Sequence, residues 1–202
     1  DPENIQLMDS VVVDARVVND VKVSEDAEWA IITREGASNR RNGIVVLDLA
    51  DPAHPTILSE LTDSLTAGIH NVWIMGDIVY AVNNGTSALN IIDISDLANP
   101  QHAGRFEIRP GETDKVLHDV WAEDGYAYLS YWDDGLVIAD VGAGTHGGTP
   151  TDPAFVSSIN YPAGNTHVAW RNRDYVFLGD EIGTSDGMRG YIHVIDVSDI
   201  EN

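Results

Sequence analysis

The feature that most constrains this chain is a short apolar run ending in aspartate, which it writes four times. The copies are Gly43-Ile44-Val45-Val46-Leu47-Asp48-Leu49, Ala88-Leu89-Asn90-Ile91-Ile92-Asp93-Ile94, Gly135-Leu136-Val137-Ile138-Ala139-Asp140-Val141 and Tyr191-Ile192-His193-Val194-Ile195-Asp196-Val197. Such β-branched apolar runs read as strands. A period of roughly 50 residues marks a stacked architecture, in which each unit buries its apolar face only against a neighbour. Turn chemistry follows the runs, in Asp51-Pro52-Ala53-His54-Pro55, Asp96-Leu97-Ala98-Asn99-Pro100 and Asp152-Pro153-Ala154. Asp, Asn and Pro make turns without needing ladder bonds. These turns divide a single domain, 1–202, into repeats 1–50, 51–95, 96–151 and 152–198.

Each repeat holds four strand candidates. The second reads as strands over 56–61, 70–75, 78–82 and 89–94, and the third over 103–108, 118–122, 126–131 and 136–141. The fourth reads as 155–160, 167–170, 175–179 and 191–197, and the first as 5–13, 20–23, 29–33 and 44–49. No segment keeps a 3.6-residue apolar period for three turns, so no substantial helix is expected. Four short strands per unit is the construction of a propeller blade. The expected fold is therefore all-β, a β-propeller of four four-stranded blades. With the strand after each Asp-Pro turn outermost, the fourth blade lacks its outer strand and 5–13 stands spare before the first. Either 5–13 completes blade four in a closed four-bladed ring, or the chain is part of a larger propeller; the second is preferred because blade counts range up to eight.

The run Leu136-Val137-Ile138-Ala139-Asp140, its following turn, and the strand Leu117-His118-Asp119-Val120-Trp121 together resemble the LVIVD-repeat family. The resemblance extends over essentially the whole chain. It departs in repeat one, where Asn19-Asp20 stands for His-Asp, and in repeat four, where Thr166-His167 does. It implies an exported or surface-associated bacterial or archaeal propeller, and it carries no established catalytic residues.

Composition narrows the function classes. The net charge of −22 comes from 33 acidic against 11 basic side chains, a balance that repels phosphate backbones and argues against nucleic acid as a partner. No apolar run approaches the length of a membrane span, and the absence of cysteine removes disulfides and thiolate metal sites. The lack of an initiator Met and of a leader pattern predicts a processed chain or a piece of a longer one. An extracytoplasmic place, with protein partners in a membrane-associated or cell-surface assembly, is the expectation.

Matching the repeats on Val21, Val72, Val120 and Val168 stacks Asp20, Asn71, Asp119 and His167, preceded by Asn19, His70, His118 and Thr166. These positions begin the inner strands, at one mouth of the central channel. Oxygen donors there could hold a divalent cation such as calcium, and the imidazoles zinc or another transition metal; equally, the groups could bond neighbouring blades. The second strands end in Arg34-Glu35, Asn83-Asn84, Trp132-Asp133-Asp134 and Asp180-Glu181. Asp180 and Glu181 thus join His70, Asn71, His118, Asp119 and His167 as candidate ring residues, while Trp132, Asp133 and Asp134 are candidate partner contacts. Trp73, Trp121 and, nearly in register, Trp170 are expected as wedges between blades. Asp48, Asp93, Asp140 and Asp196 recur with their turns, which assigns them to turn structure. Two insertions, 142–151 and 182–190, break the period, as added binding loops do, and Asn84-Gly85-Thr86 is a formal glycosylation sequon. The leading expectation is a non-catalytic interaction module or assembly subunit. A metal-dependent lactonase- or hydrolase-like enzyme and a carbohydrate-binding module are the alternatives.

Overall fold

The computed structural model describes residues 3–83, 86–112, 116–161, 165–182 and 190–200. Asn84 and Gly85 of the sequon and residues 183–189 of the second insertion lie outside the described residues. Blade one is β1 (Val21–Val23), β2 (Trp29–Arg34), β3 (Gly43–Asp48) and β4 (Thr56–Leu61). Blade two is β5 (Asn71–Met75), β6 (Ile78–Asn83), β7 (Ala88–Asp93) and β8 (Gln101–Phe106). Blade three is β9 (Leu117–Glu123), β10 (Tyr126–Tyr131), β11 (Gly135–Asp140) and β12 (Ala154–Ile159). Blade four has β13 (Thr166–Asn172), β14 (Tyr175–Asp180) and β15 (Ile192–Asp196). All are antiparallel meanders in chain order, and the fourth sheet has three strands rather than four. No helix among the described residues is long and apolar enough to cross a membrane.

The inner strands meet one another in sequence, β1 beside β5, β5 beside β9 and β9 beside β13. Each joint carries its own apolar core. Ile31, Ile44, Val46, Val72 and Val79 fill the first joint; Tyr80, Leu89, Ile91, Val120 and Leu129 the second; Tyr128, Ile138, Val176 and Leu178 the third. Full burial of side chains of this size contributes roughly 1.5–3 kcal/mol each, so the joints, not the sheets, hold the stack together. That explains the unbroken apolar runs: β11 is buried along its whole length, whereas the outer strand β8 alternates.

Segment 5–13 does not form the strand expected of it. Val11 and Val13 pack face-on against Ala30, Ile32, Val45 and Leu47 of blade one, while Ile5, Leu7 and Val12 are exposed. The segment covers a face instead of extending an edge, and among the described residues it adds no strand to blade four. On the far side of blade four, Trp170, Phe177 and Val194 pair in one cross-strand row and are exposed.

The strand-ending aspartates set the turns. Asp48, Asp93 and Asp196 each accept a backbone N–H two residues on, from Ala50, Ser95 and Ser198. Asp140 does far more, because insertion 142–151 wraps around it. Its Oδ1 accepts from Gly142, Ala143 and Gly144, and its Oδ2 from His146 and Gly148. Burial alone would raise this carboxyl, but the backbone donors outweigh it and hold the pKa down at about 2. The insertion is therefore a turn wound on a buried carboxylate. It also explains Gly104. In blades one and three the corresponding outer-strand residue is a serine whose hydroxyl donates across the joint, Ser59 to the Leu97 carbonyl and Ser157 to the Ile200 carbonyl, each at 2.6 Å. In blade two the longer turn brings the Thr151 carbonyl so close that a Cβ on residue 104 would lie 2.2 Å from its oxygen.

Candidate functional site

Strand register decides which residues share the channel mouth. Asp119 faces Ser130 and Val120 faces Leu129 in blade three, whereas Val168 faces Gly179 and Ala169 faces Leu178 in blade four. Both inner strands carry the same bulge, between Leu117 and Asp119 in β9 and between Thr166 and Val168 in β13, and the bulged residue is His118 in one and His167 in the other. His167 therefore matches His118, not Asp119, and the correct column is Asn19, His70, His118, His167. Matching on Val168 misplaces it. Matching on tryptophan places it correctly, since Trp73, Trp121 and Trp170 each lie three residues after their histidine.

Two ring stacks result. At the mouth, His70 and His118 have centroids 4.5 Å apart, and His118 and His167 4.3 Å. One turn of the pleat deeper, Trp73 and Trp121 lie 4.2 Å apart, and Trp121 and Trp170 3.8 Å. The tryptophans thus stack on one another between inner strands as well as meeting the cores. In blade one Lys22 takes the tryptophan position, and its ammonium bonds both oxygens of Asp20 at 2.7 and 2.8 Å.

The polar column ties blades together. Asp20 accepts the Val72 N–H of the next blade, and Asn19 and Glu35 both reach Nδ1 of His70, at 2.9 and 3.2 Å. Burial pushes Asp119 up to about 7, against N–H bonds from Val120 and Ala169 and the Lys22 charge. His118 Nδ1 lies 3.2 Å from the His167 carbonyl oxygen. Burial, then the neighbouring His167 and His70, draw His118 down to about 4, so it is neutral at neutral pH. Asn19, His70, Asn71, His118, Asp119, His167 and Val168 line a cavity of about 320 Å³.

The second-strand ends divide. Glu181 comes to the mouth, with Oε2 3.5 Å from His118 Nε2 and 3.7 Å from His167 Nε2. Asp180 turns the other way; its buried carboxylate bonds the Tyr161 hydroxyl and His193 Nε2, each at 3.0 Å. Asp133 is taken up by loop bonding, its Oδ1 accepting from Asn165 Nδ2, and Asp134 pairs with Arg109. Trp132 is half-buried with its ring 5.2 Å from His118, so it extends the imidazole stack instead of standing free in the loop.

Stacked four-stranded meanders with ring ladders on their inner strands define a β-propeller repeat protein. The LVIVD repeat family model matches residues 38–63, 69–107 and 117–160; the chain belongs to the LVIVD-repeat family. Among solved structures it is similar to the computationally designed Ika4 protein (TM-score 0.64, 11% identity, covering 96% of this chain and 99% of that one). A putative 6-phosphogluconolactonase from Bacteroides fragilis is similar too (TM-score 0.63, 13% identity, 87% of this chain and 56% of that one). So is the periplasmic gluconolactonase of Pseudomonas aeruginosa (TM-score 0.63, 10% identity, 89% and 57%). The chain spans little more than half the length of those two lactonases, and at such identities the likeness is one of fold. No protein in a curated set matches its sequence.

Proposed function

We propose that this chain is the channel-lining part of an extracytoplasmic β-propeller that serves as a non-catalytic protein-interaction module, and that its partner is recognised at the mouth rimmed by His70, His118, Trp132 and His167. The observation that carries this reading is how the column's polar groups are used. Asp20, Asn19, Glu35 and Asp119 are committed to bonds within and between blades, while the aromatic rim and a cavity of about 320 Å³ remain open to a visitor. The acidity of the chain and its lack of cysteine support an extracytoplasmic setting and a basic partner surface.

A second reading, a metal-dependent lactonase- or hydrolase-like enzyme, is favoured by the meeting of His118, His167 and Glu181 and by the fold shared with gluconolactonases. Lactone and ester hydrolysis, followed with and without added zinc, separates the two. The module reading expects no turnover above buffer. Turnover that disappears in both His118→Ala and His167→Ala, with folding intact, would replace it with the enzyme reading.

A further inference from the structure

The geometry points to a zinc-class divalent metal site built by His118, His167 and Glu181 at the joint of blades three and four. The three donor atoms, two imidazole nitrogens and one carboxylate oxygen, lie within 4.8 Å of one another. The carboxylate oxygen is 3.5 Å from one Nε2 and 3.7 Å from the other. Tetrahedral zinc, with bonds of about 2.0–2.1 Å, sets its ligand atoms about 3.3–3.4 Å apart. The present spacing needs a few tenths of an ångström of closure along those two edges and up to about 1.4 Å along the edge between the imidazole nitrogens.

Hydrogen bonding makes the spacing meaningful. The His167 carbonyl can only accept, so the contact at 3.2 Å assigns the proton of His118 to Nδ1. Nε2 then carries a lone pair, and it points at another acceptor, Glu181 Oε2. Two acceptors facing each other with no hydrogen between them is unfavourable as it stands and becomes favourable around a cation. A ligating histidine whose other nitrogen donates to a backbone carbonyl is also the usual outer-shell arrangement of metal sites. The backbone holds the donors in place: Glu181 N–H donates to the Asn165 carbonyl at 3.1 Å, and Thr166 N–H to the Trp132 carbonyl at 2.9 Å.

Donor chemistry selects the metal. Two imidazoles and a carboxylate suit zinc and its neighbours, whereas calcium requires six to eight oxygens. Three protein donors leave a fourth position open toward the cavity. Blade one shows the contrast, because there Glu35 and Asn19 converge on Nδ1 of His70 and close that imidazole within a hydrogen-bond network. The bulge that β9 and β13 share helps build the site, since it sets His118 and His167 at the same position of their inner strands. The site is independent of whether the mouth recognises a protein or acts on a small molecule.

Zinc titration of tag-free protein by calorimetry, with cobalt(II) absorption as a second readout, tests this. One equivalent should bind the native chain, and cobalt should give visible bands of a low-coordinate nitrogen–oxygen site. His118→Ala, His167→Ala and Glu181→Gln should each weaken zinc at least tenfold with unchanged circular dichroism, while His54→Ala, on a remote exposed turn, should not. No saturable binding to the native chain would overturn the assignment, as would binding that the three variants leave intact or that His54→Ala weakens equally.

Discussion

Replacing Asp140 by asparagine probes the turn that the third blade is wound on. The carboxylate is buried and takes five backbone N–H bonds, three on one oxygen and two on the other. An amide presents a donor where one oxygen accepted. In the better orientation it faces His146 and Gly148, so at least two bonds are lost and the remaining three lose their charged acceptor. At roughly 1.5–3 kcal/mol for each bond to a charged group, the two lost bonds cost about 3–6 kcal/mol. Urea denaturation at pH 7 measures it, and Asp93→Asn, whose amide oxygen can still accept the exposed Ser95 turn bond, should cost much less. The pH dependence gives a second handle. Asp140 is depressed in the folded state, to about 2 from an ordinary 3.8. Its contribution is therefore fully present above about pH 4 and is lost as pH falls through about 2. The gap between native and D140N proteins should be flat from pH 7 to 5 and narrow steadily below 4. Equal costs for Asp140→Asn and Asp93→Asn, or a gap unchanged down to pH 2, would refute the reasoning.

Gly104→Ala should destabilise by about 1–3 kcal/mol through overpacking, because its Cβ would press on the Thr151 carbonyl, a backbone atom; thermal melting checks it. Ser157→Ala removes the hydroxyl bond to the Ile200 carbonyl and should cost about 1 kcal/mol, measured by urea denaturation. The Trp73–Trp121–Trp170 stack should give an exciton couplet in the far-ultraviolet circular dichroism spectrum. Trp121→Phe, which breaks the stack in its middle, should abolish that couplet while the β-sheet signal remains.

Much of this architecture could be read from the chain because its information is periodic. The four Asp-terminated runs are the third strands; β3, β7 and β11 are covered on both faces, whereas in β15 Ile192 and Val194 are exposed. Single-residue irregularities were not legible in the same way. In blade four Val168 takes the position of Asp119 and Ala169 that of Val120, so matching the strands on valine exchanges which side chain stands beside His118. Only the tryptophan spacing betrayed it. Segment 5–13 differs for another reason: an apolar segment reads alike in sequence whether it covers a face or extends an edge. Asp180 and Glu181 are adjacent acids at a strand end, and strand alternation necessarily sends them to opposite sides, one to Tyr161 and His193, the other to the mouth. The recurrence of Asp140 likewise concealed that one copy of a common turn residue had become the hub of an enlarged loop.

The contact between Gly104 and Thr151 has a consequence for how such chains can diversify. Repeat proteins are often treated as interchangeable cassettes, each blade free to be copied, shuffled or exchanged. Here the enlarged turn belongs to the third blade, but the residue that makes room for it belongs to the second. A serine copied from either sister blade into position 104 would collide with a loop encoded 47 residues later. These two blades must therefore travel as a pair, and a recombination point between them would break a fit that neither blade carries alone.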